Sequence, residues 1–199
     1  VIDGGITAIS AGELHSIAQK SDGSLWSWGD NEHAQLGDGS KVLFRKTPTQ
    51  IFAGDIAGFA VGDMHNVVVK TDGSLWTWGY NWQNQLGDGK INERNTPVRI
   101  IDAGVISASA AAANTYAVKS DGSLWAWGYN SKGQIGDGTE ENATTPWQVF
   151  SSGVSKVEPG NYFVIVQKTD GSSWAWGDNK YGQLGNGSTE DSMVPVLIE

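Results

Sequence analysis

The sequence contains no cysteine, which excludes a disulfide framework, a thiolate nucleophile and a cysteine-ligated zinc site. No apolar run approaches the about 18 residues that a membrane-spanning helix needs, and no secretory leader is recognisable, so we expect no contact with a membrane. Positive charge is scarce. The 13 Lys and Arg against 22 Asp and Glu give a net charge of −9, which argues against binding to the phosphate backbone of nucleic acids.

Glycine and tryptophan are abundant instead, with 27 and 10 copies among 199 residues. A cassette with a Trp-x-Trp-Gly core occurs four times, and its first tryptophan lies at Trp26, Trp76, Trp125 and Trp174, in steps of 50, 49 and 49 residues. A period of about 40 to 50 residues is typical of propeller blades. We therefore predict one domain, 1–199, made of four repeats at approximately 1–50, 51–99, 100–148 and 149–199.

Each repeat contains the pattern of four short strands. In the first repeat we predict strands near Ile6–Ser10, Ser16–Lys20, Leu25–Trp28 and Thr49–Phe52, with Asp22-Gly23 forming a two-residue type I′ turn between the second and the third. No segment has a sustained helical period. The predicted fold class is therefore all-β, a β-propeller of four four-stranded blades per chain.

The two tryptophans of each cassette are two residues apart, so their side chains lie on the same face of a strand. The residue between them points to the other face and is always small. A bulky face and a shallow face are what stacked blades require, so we interpret the pairs as packing between blades. The alternative is a platform on which ligands stack. The small residues are Ser27, Thr77, Ala126 and Ala175.

The block Asp-Gly-Ser-Leu-Trp-x-Trp-Gly-x-Asn-x-x-x-Gln-Leu-Gly-x-Gly, with Gly-x-x-His ahead of it, resembles the regulator of chromosome condensation repeat family over the whole chain. The resemblance implies a propeller that acts through its rims, commonly as a ring of seven blades. It also implies two activities known among relatives, guanine-nucleotide exchange with chromatin docking and inhibition of a β-lactamase. The compact repeats look more like bacterial surface and secreted relatives, which implies an extracellular or cell-surface location.

The chain departs from the family pattern in several places. It has four repeats and not seven, and its acidic balance argues against chromatin docking. The third repeat has Ala111-Ala-Ala-Asn114 and the fourth has Gly160-Asn-Tyr-Phe163 where Gly-x-x-His is expected. The usual glycine before Gln is replaced by Ala34 and Asn84 in the first two repeats.

Candidate catalytic or metal-binding groups are few. His15 and His65 occupy the same repeat position, so they cannot converge on one site, and we expect each to bond backbone at a strand turn; a metal or catalytic role is the alternative. The loop aspartates, of which Asp38 is the first, lack the spacing of a calcium loop and are expected to cap their own turns. We therefore predict no enzyme activity, no cofactor and no metal.

The loops after the tryptophan pairs differ between repeats, and a partner can use positions that the fold leaves free. Large apolar or charged side chains occupy loop positions at which the other repeats have a different kind of residue. The alternative is that the apolar ones fold back onto the rim. The predicted binding residues are Trp82, Tyr181, Leu43, Phe44, Glu32, His33, Lys132 and Lys180.

The leading functional hypothesis is recognition of a protein partner through these loops. The alternative is a structural self-assembly unit. Four open blades expose a face at each end, so we predict a homodimer that forms an eight-bladed ring, in which Glu199 runs into Val1 in register. A four-bladed ring is the second choice, and a fragment of a longer propeller is the third alternative. Glycan binding by Trp82 with Asn81 and Asn84, and nucleotide exchange, rank below these hypotheses.

Overall fold

A computed structural model describes residues 4–198, so Val1 and Glu199, the ends that the register argument joins, lie outside the described residues. Residues 4–198 form sixteen strands and no helix. The strands make four antiparallel sheets of four, each running in chain order from its first to its fourth strand. The all-β prediction of four four-stranded blades is confirmed. Within this range nothing forms a helix of the length and apolarity needed to cross a membrane.

The blades are numbered in chain order. Blade 1 contains β1 Ile6–Ala11, β2 His15–Lys20, β3 Leu25–Asp30 and β4 Phe44–Phe52. Blade 2 contains β5 Ile56–Val61, β6 His65–Lys70, β7 Leu75–Gly79 and β8 Arg94–Ile101. Blade 3 contains β9 Val105–Ala111, β10 Asn114–Lys119, β11 Leu124–Gly128 and β12 Ala143–Phe150. Blade 4 contains β13 Val154–Pro159, β14 Phe163–Lys168, β15 Ser173–Gly177 and β16 Ser192–Ile198.

The fourth strand of each blade begins earlier than the sequence pattern indicates. β4 starts at Phe44, opposite Asp30, and not at Thr49. Pro48 consequently lies inside the strand. It is tolerated there because β4 is the last strand of its sheet. On the open side of an edge strand no neighbouring strand needs the N–H that proline lacks.

The Asp-Gly turn between the second and third strands is not the predicted two-residue type I′ turn. Only Gly23 has a positive φ, +82°, while Asp22 does not. The N–H of Gly23 donates to the carbonyl of Lys20 at 2.9 Å, and the N–H of Lys20 donates to the carbonyl of Ser24 at 2.9 Å. These bonds define a three-residue loop in which a type I turn is followed by a left-handed glycine.

The carboxylate of Asp22 accounts for this turn. It accepts the N–H of Ser24 at 3.0 Å and the hydroxyl of Ser24 at 2.6 Å, and these bonds hold the pKa of Asp22 below its usual value. The Nε1–H of Trp26 in turn donates to the Ser24 hydroxyl at 2.8 Å. The bonds from Ser N–H to Asp and from indole to Ser recur in all four blades. The Asp-Gly-Ser-x-Trp motif is therefore a hydrogen-bonded unit that fixes the first tryptophan of each pair.

The second tryptophan of each pair joins its blade to the preceding one. Its side chain is fully buried in blades 2, 3 and 4. Its Nε1–H donates to the main-chain carbonyl of the Gln in the preceding blade's Gln-Leu-Gly or Gln-Ile-Gly segment. The three bonds are Trp78 to Gln35 at 2.9 Å, Trp127 to Gln85 at 3.0 Å and Trp176 to Gln134 at 2.8 Å. The interpretation of the pairs as blade packing is confirmed at every junction between described blades.

The Gly-x-x-His motif also acts between blades. The Nε2 of His15 lies 2.8 Å from the Oδ1 of Asn66, and the Nε2 of His65 lies 3.0 Å from the Oγ1 of Thr115, each on the following blade. The expected bond to backbone at the turn is therefore wrong, because the ring reaches across the junction. A Cβ on Gly62 would lie 2.2 Å from the Cε1 of His65, so the imidazole requires the glycine three residues earlier.

The four blades form an open arc. Within residues 4–198 no hydrogen bond joins blade 1 to blade 4. Trp28, the counterpart of the three buried tryptophans, remains partly exposed. Closure as a four-bladed ring, the second choice for assembly, is therefore wrong for the described part of the chain.

The glycine of the Gln-Leu-Gly segment should be irreplaceable inside the arc. A Cβ on Gly87, whose φ is +75°, would lie 2.6 Å from the Nε1 of the buried Trp127. Overpacking and backbone strain together predict that Gly87→Ala lowers the free energy of unfolding by about 3 kcal/mol. Urea denaturation measures it.

The matched control is Gly187→Ala. Gly187 has the same φ of +75°, but a Cβ there meets nothing within 4 Å. This change should cost only the backbone strain of about 1 kcal/mol. Equal losses in the two variants would contradict the steric role of the junction.

The buried histidine predicts acid sensitivity. Burial lowers the pKa of His65 from 6.5 to about 3. Below pH 6.5 the unfolded chain therefore binds a proton that the folded chain does not, so stability present above that pH falls as the pH drops toward 3. The loss is at most about 1.4 kcal/mol per pH unit for this group. Burial also lowers the pKa of His15, which adds a smaller loss of the same sign.

His65→Asn copies Asn114, the counterpart in blade 3, and removes this titration. Unfolding free energies measured by urea denaturation between about pH 6.5 and about pH 5, above the range in which most carboxylates titrate, should fall less steeply in the variant. At pH 8 His65 is neutral in both the folded and the unfolded chain. A reference measurement at that pH therefore isolates the packing cost of the substitution. Parallel slopes for the two proteins would contradict the prediction.

Candidate functional site

One edge of the arc, which we name the loop face, carries the turns between first and second strands and the connections between third and fourth strands. Successive strands are antiparallel, so these segments emerge together in every blade. All eight predicted binding residues lie in the third-to-fourth connections or at the first residue of β4. The sequence therefore placed them on one side of the molecule, although they do not form one site.

An aromatic group occupies the loop face at the junction of blades 1 and 2. Trp82 is 68% exposed, and its ring stacks near that of Tyr80, with centroids 6.2 Å apart and planes inclined by 17°. The ring of His33 meets Tyr80 edge-on at 4.9 Å. The Nδ1 of His33 lies 2.7 Å from the Oε1 of Glu93 on blade 2. His33 and Trp82 are thus brought together through Tyr80, and Trp82 does not fold back into the core.

A cavity of about 370 Å³ lies beside this group. Its wall includes the rings of Tyr80, Tyr129 and Tyr162, with Asp63 and Gln83 adding polar atoms. Tyr129 and Tyr162 meet edge-on with centroids 6.5 Å apart. All four blades contribute to it, blade 1 through His33, so the cavity exists only because the blades are stacked.

The tyrosines replace an internal hydrogen bond. In blades 1 and 4 the residue after Trp-Gly is Asp, and Asp30 accepts the Nε2–H of Gln35 at 2.6 Å as Asp178 accepts that of Gln183. In blades 2 and 3 the same position is Tyr80 or Tyr129. The Nε2 of Gln134, beside Tyr129 in the repeat, is buried without a hydrogen-bond partner. An unpaired buried donor costs about 1 to 3 kcal/mol, so Tyr129 does not replace the lost hydrogen bond within blade 3.

The other predicted residues lie toward the two ends of the arc. Leu43 and Phe44 are exposed on blade 1, at 65% and 58%. Glu32 and Leu43 line a shallow cavity at the junction with blade 2, which contributes Glu93 and Asn95. Tyr181 is 83% exposed on blade 4, and the Nζ of the neighbouring Lys180 lies 5.4 Å from its ring centre.

Lys132 has a structural contact. Its Nζ lies 3.0 Å from the Oδ2 of Asp191 on blade 4, and this hydrogen bond raises the pKa of the lysine. Lys132 thus joins the loops of blades 3 and 4, as His33 and Glu93 join those of blades 1 and 2.

Two alternative sites are inconsistent with the geometry. Asn81 and Asn84, expected to flank Trp82 in a glycan site, are buried, and both direct their amide Nδ2–H groups at the carbonyl of Lys90. Asp38 accepts hydrogen bonds from Ser40 and from Arg45, as expected of a turn cap. Among residues 4–198 no group of three or more His, Asp or Glu side chains is placed to hold a metal ion.

Sequence reasoning missed the tyrosines of the cavity. Tyr80 and Tyr129 follow the Trp-Gly of their own repeats, where the other two repeats have Asp30 and Asp178, so a signal existed in the comparison of the four copies. Tyr162 follows β13 in the turn of blade 4, where no pattern distinguishes it.

The family model for the RCC1-like domain matches residues 1–199. A segment of 35 residues, 18% of this chain, is 46% identical to the human E3 ubiquitin-protein ligase HERC2, of which it covers 1%.

Two solved structures have closely similar folds. Human WBSCR16 superposes with a TM-score of 0.84 at 23% identity, covering 100% of this chain and 54% of that one. Yeast RCC1 (Prp20), solved with Kap60 bound to it, superposes with a TM-score of 0.84 at 21% identity, covering 98% of this chain and 48% of that one. The chain therefore spans about half the length of these two structural relatives.

Proposed function

Because the chain belongs to the RCC1-like domain family over its whole length, we propose that it is a non-enzymatic recognition module that binds a protein partner through the loop face. Propellers of this family generally act as binding or exchange scaffolds without catalysis of their own. Fold similarity does not select a partner, so the proposal depends on the surface of this chain.

The observation that carries the proposal is the aromatic surface formed by Trp82, Tyr80, Tyr129 and Tyr162. Two blades lack the Asp–Gln hydrogen bond of the other two, and rings that border a cavity stand in its place. Exposed Trp and Tyr beside a cavity are the side chains that contribute most to protein interfaces, since they bury large apolar area with little loss of conformational freedom.

Charge favours a basic segment in that partner. The chain carries a net charge of −9, and the exposed Asp63 lies at the cavity wall. An arginine side chain can stack on a tyrosine ring and pair with a carboxylate at the same time. We therefore infer a partner that inserts an Arg or Lys side chain between the tyrosines.

Trp82→Ala should leave the fold intact and weaken binding. The side chain is 68% exposed, so the melting temperature should remain within experimental error, while the loss of a central aromatic contact should raise the Kd at least about tenfold. A photo-crosslinking amino acid at position 82 identifies the partner, and calorimetry with that partner measures the affinity.

Trp147 supplies the matched control. It is 51% exposed but lies on the outer strand β12, away from the loop face. Crosslinking from position 147 and the variant Trp147→Ala should give no partner and no loss of affinity. A large drop in melting temperature for Trp82→Ala, or equal effects at both positions, would remove the loop face from consideration.

A second candidate function is self-assembly, in which two chains form an eight-bladed ring. The observation that favours it is the open arc, because Trp28 and the Gln-Leu-Gly segment of blade 4 have no junction partner within residues 4–198. Complementary open ends allow a head-to-tail contact that uses the same chemistry as the interior junctions.

A further inference from the structure

The cavity on the loop face, which we name the tyrosine cavity, is defined by Tyr80, Tyr129, Tyr162, Asp63 and Gln85. Its wall comes from turns between first and second strands and from segments that follow third strands. Each wall residue thus belongs to a junction between blades that the structure describes. The volume of about 370 Å³ falls in the range of about 300 to 1,000 Å³ that is typical of small-ligand sites.

The three rings of the cavity are held in place by other aromatic rings. Tyr129 and Tyr162 meet with their planes inclined by 62° and their centroids 6.5 Å apart. Tyr80 is contacted edge-on by His33 at 4.9 Å and lies nearly parallel to Trp82. The face of an aromatic ring attracts cations through its quadrupole. Three oriented tyrosines around one cavity therefore make a candidate site for a cation.

Most amide and carbonyl acceptors of the wall are already in use. The Oε1 of Gln83 accepts the Nδ2–H of Asn142 at 3.1 Å, and the Oε1 of Gln85 accepts the N–H of Gln83 at 3.1 Å. Three main-chain carbonyls of the wall also accept N–H groups, at 3.0 to 3.2 Å. They are those of Met64, Ala112 and Ala113. The carboxylate of Asp63 has no hydrogen bond or ion pair within residues 4–198, so it is the charged group that remains for a ligand.

The amide of Gln85 adds one hydrogen-bond donor to the cavity. In blades 1 and 4 the equivalent Gln donates its Nε2–H to an aspartate. Tyr80 occupies the position of that aspartate in blade 2, and within residues 4–198 the Nε2 of Gln85 has no hydrogen-bond partner, although Gln85 is only 1% exposed. A buried amide donor needs an acceptor. A peptide carbonyl beside a bound side chain can supply it.

We propose that the tyrosine cavity binds a methylated lysine side chain of the partner protein. The methylated ammonium group lies among the three tyrosine rings and near the carboxylate of Asp63, and a main-chain carbonyl of the same segment accepts the Nε2–H of Gln85. The inference rests on the proposed function, because it names the chemistry of the basic side chain that the partner inserts.

The balance of rings and acceptors selects a methylated side chain over an unmodified one. A lysine ammonium carries three N–H donors and is strongly hydrated, and an arginine guanidinium carries five. Either group would exchange its water for the single free carboxylate of Asp63. Trimethylation of lysine keeps the positive charge, removes every N–H donor and adds apolar surface that the rings can cover.

The first test is an NMR titration of the 199-residue chain with small probes. Nα-acetyl-ε-trimethyllysine N-methylamide should bind at least about tenfold more tightly than the lysine and arginine compounds blocked in the same way. Its neutral isostere, with carbon in place of the ammonium nitrogen, should also bind at least about tenfold more weakly, because it keeps the shape but loses the attraction of the rings and the carboxylate. Tetramethylammonium, which has no carbonyl, should bind more weakly than the trimethyllysine probe.

The second test separates the rings from simple charge attraction. Tyr80→Asp and Tyr129→Asp copy blades 1 and 4, where an Asp accepts the Nε2–H of the Gln five residues later. Each variant should therefore fold with a melting temperature at or above that of the parent protein. Each also adds a negative charge at the cavity, so charge attraction alone predicts tighter binding of the trimethyllysine probe. Loss of a ring predicts binding that is weaker by about fivefold.

The matched control for this test is Trp147→Asp. It makes the same exchange of an exposed ring for a carboxylate on β12, away from the loop face, so the dissociation constant of the trimethyllysine probe should not change.

The outcomes separate the inference from the proposed function. Binding of no probe overturns the inference, as does tighter binding to both Asp variants. Equal or tighter binding of the lysine or arginine probe overturns methylation but leaves a basic partner in place. Equal binding of the neutral isostere overturns the cation site, and equal binding of tetramethylammonium overturns a peptide as the source of the cation. Crosslinking from position 82 that captures no protein contradicts the proposed function, whether or not the probe binds.

Discussion

A buried main-chain carbonyl and a buried indole N–H each need a hydrogen-bond partner, and in this fold they supply it to each other across the gap between blades. The carbonyl belongs to the Gln of one blade and the indole to the second Trp of the next, as in the bond from Trp78 to Gln35. The left-handed glycine two residues after that Gln lets the indole lie against the main chain. The repeat motif therefore encodes two halves of a bond that closes only between consecutive blades. Stability in such an array depends on nearest neighbours. Within residues 4–198 blades 1 and 4 each have one half of the bond without its counterpart.

Positions that this bond does not constrain carry the differences between blades. The middle blades have tyrosine at the position that Asp30 and Asp178 occupy in blades 1 and 4. This difference leaves the junction intact and removes only the Asp–Gln hydrogen bond. The tyrosines at these positions line a cavity that all four blades share. Positions that pack blades and positions at the surface are thus separated along the chain. The four copies differ in the third-to-fourth connections and share the tryptophans, the Gln and the glycine two residues after it. This separation is the physical basis on which one propeller scaffold accommodates different partners.

Several local predictions failed for reasons that a single strand cannot reveal. The Asp-Gly turn has three loop residues because the carboxylate of Asp22 binds Ser24, a side-chain contact that turn statistics do not contain. The outer strand begins at Phe44 because pairing with Asp30 extends it through a segment of weak strand pattern. His15 bonds a residue 51 positions away, on another blade, whereas sequence proximity favoured the nearby backbone. Ala34 and Asn84 replace glycine yet keep the same positive φ, at 64° and 65°, since the surrounding hydrogen bonds fix that turn.

The sequence by itself determined the number of blades, the four strands in each, and the role of the tryptophan pairs. These features repeat, and four copies at one period constrain one another more strongly than any local propensity does. The side of the molecule that bears the variable loops also followed, because antiparallel strands send alternate connections to the same edge. Only the tertiary structure decided which loop residues meet, since Trp82 and His33 are joined through Tyr80 across a blade junction and Lys132 is held by Asp191. It also decided that blades 1 and 4 do not meet within residues 4–198. That outcome depends on the angle between blades, which is set by side-chain packing over distances that a linear pattern does not record.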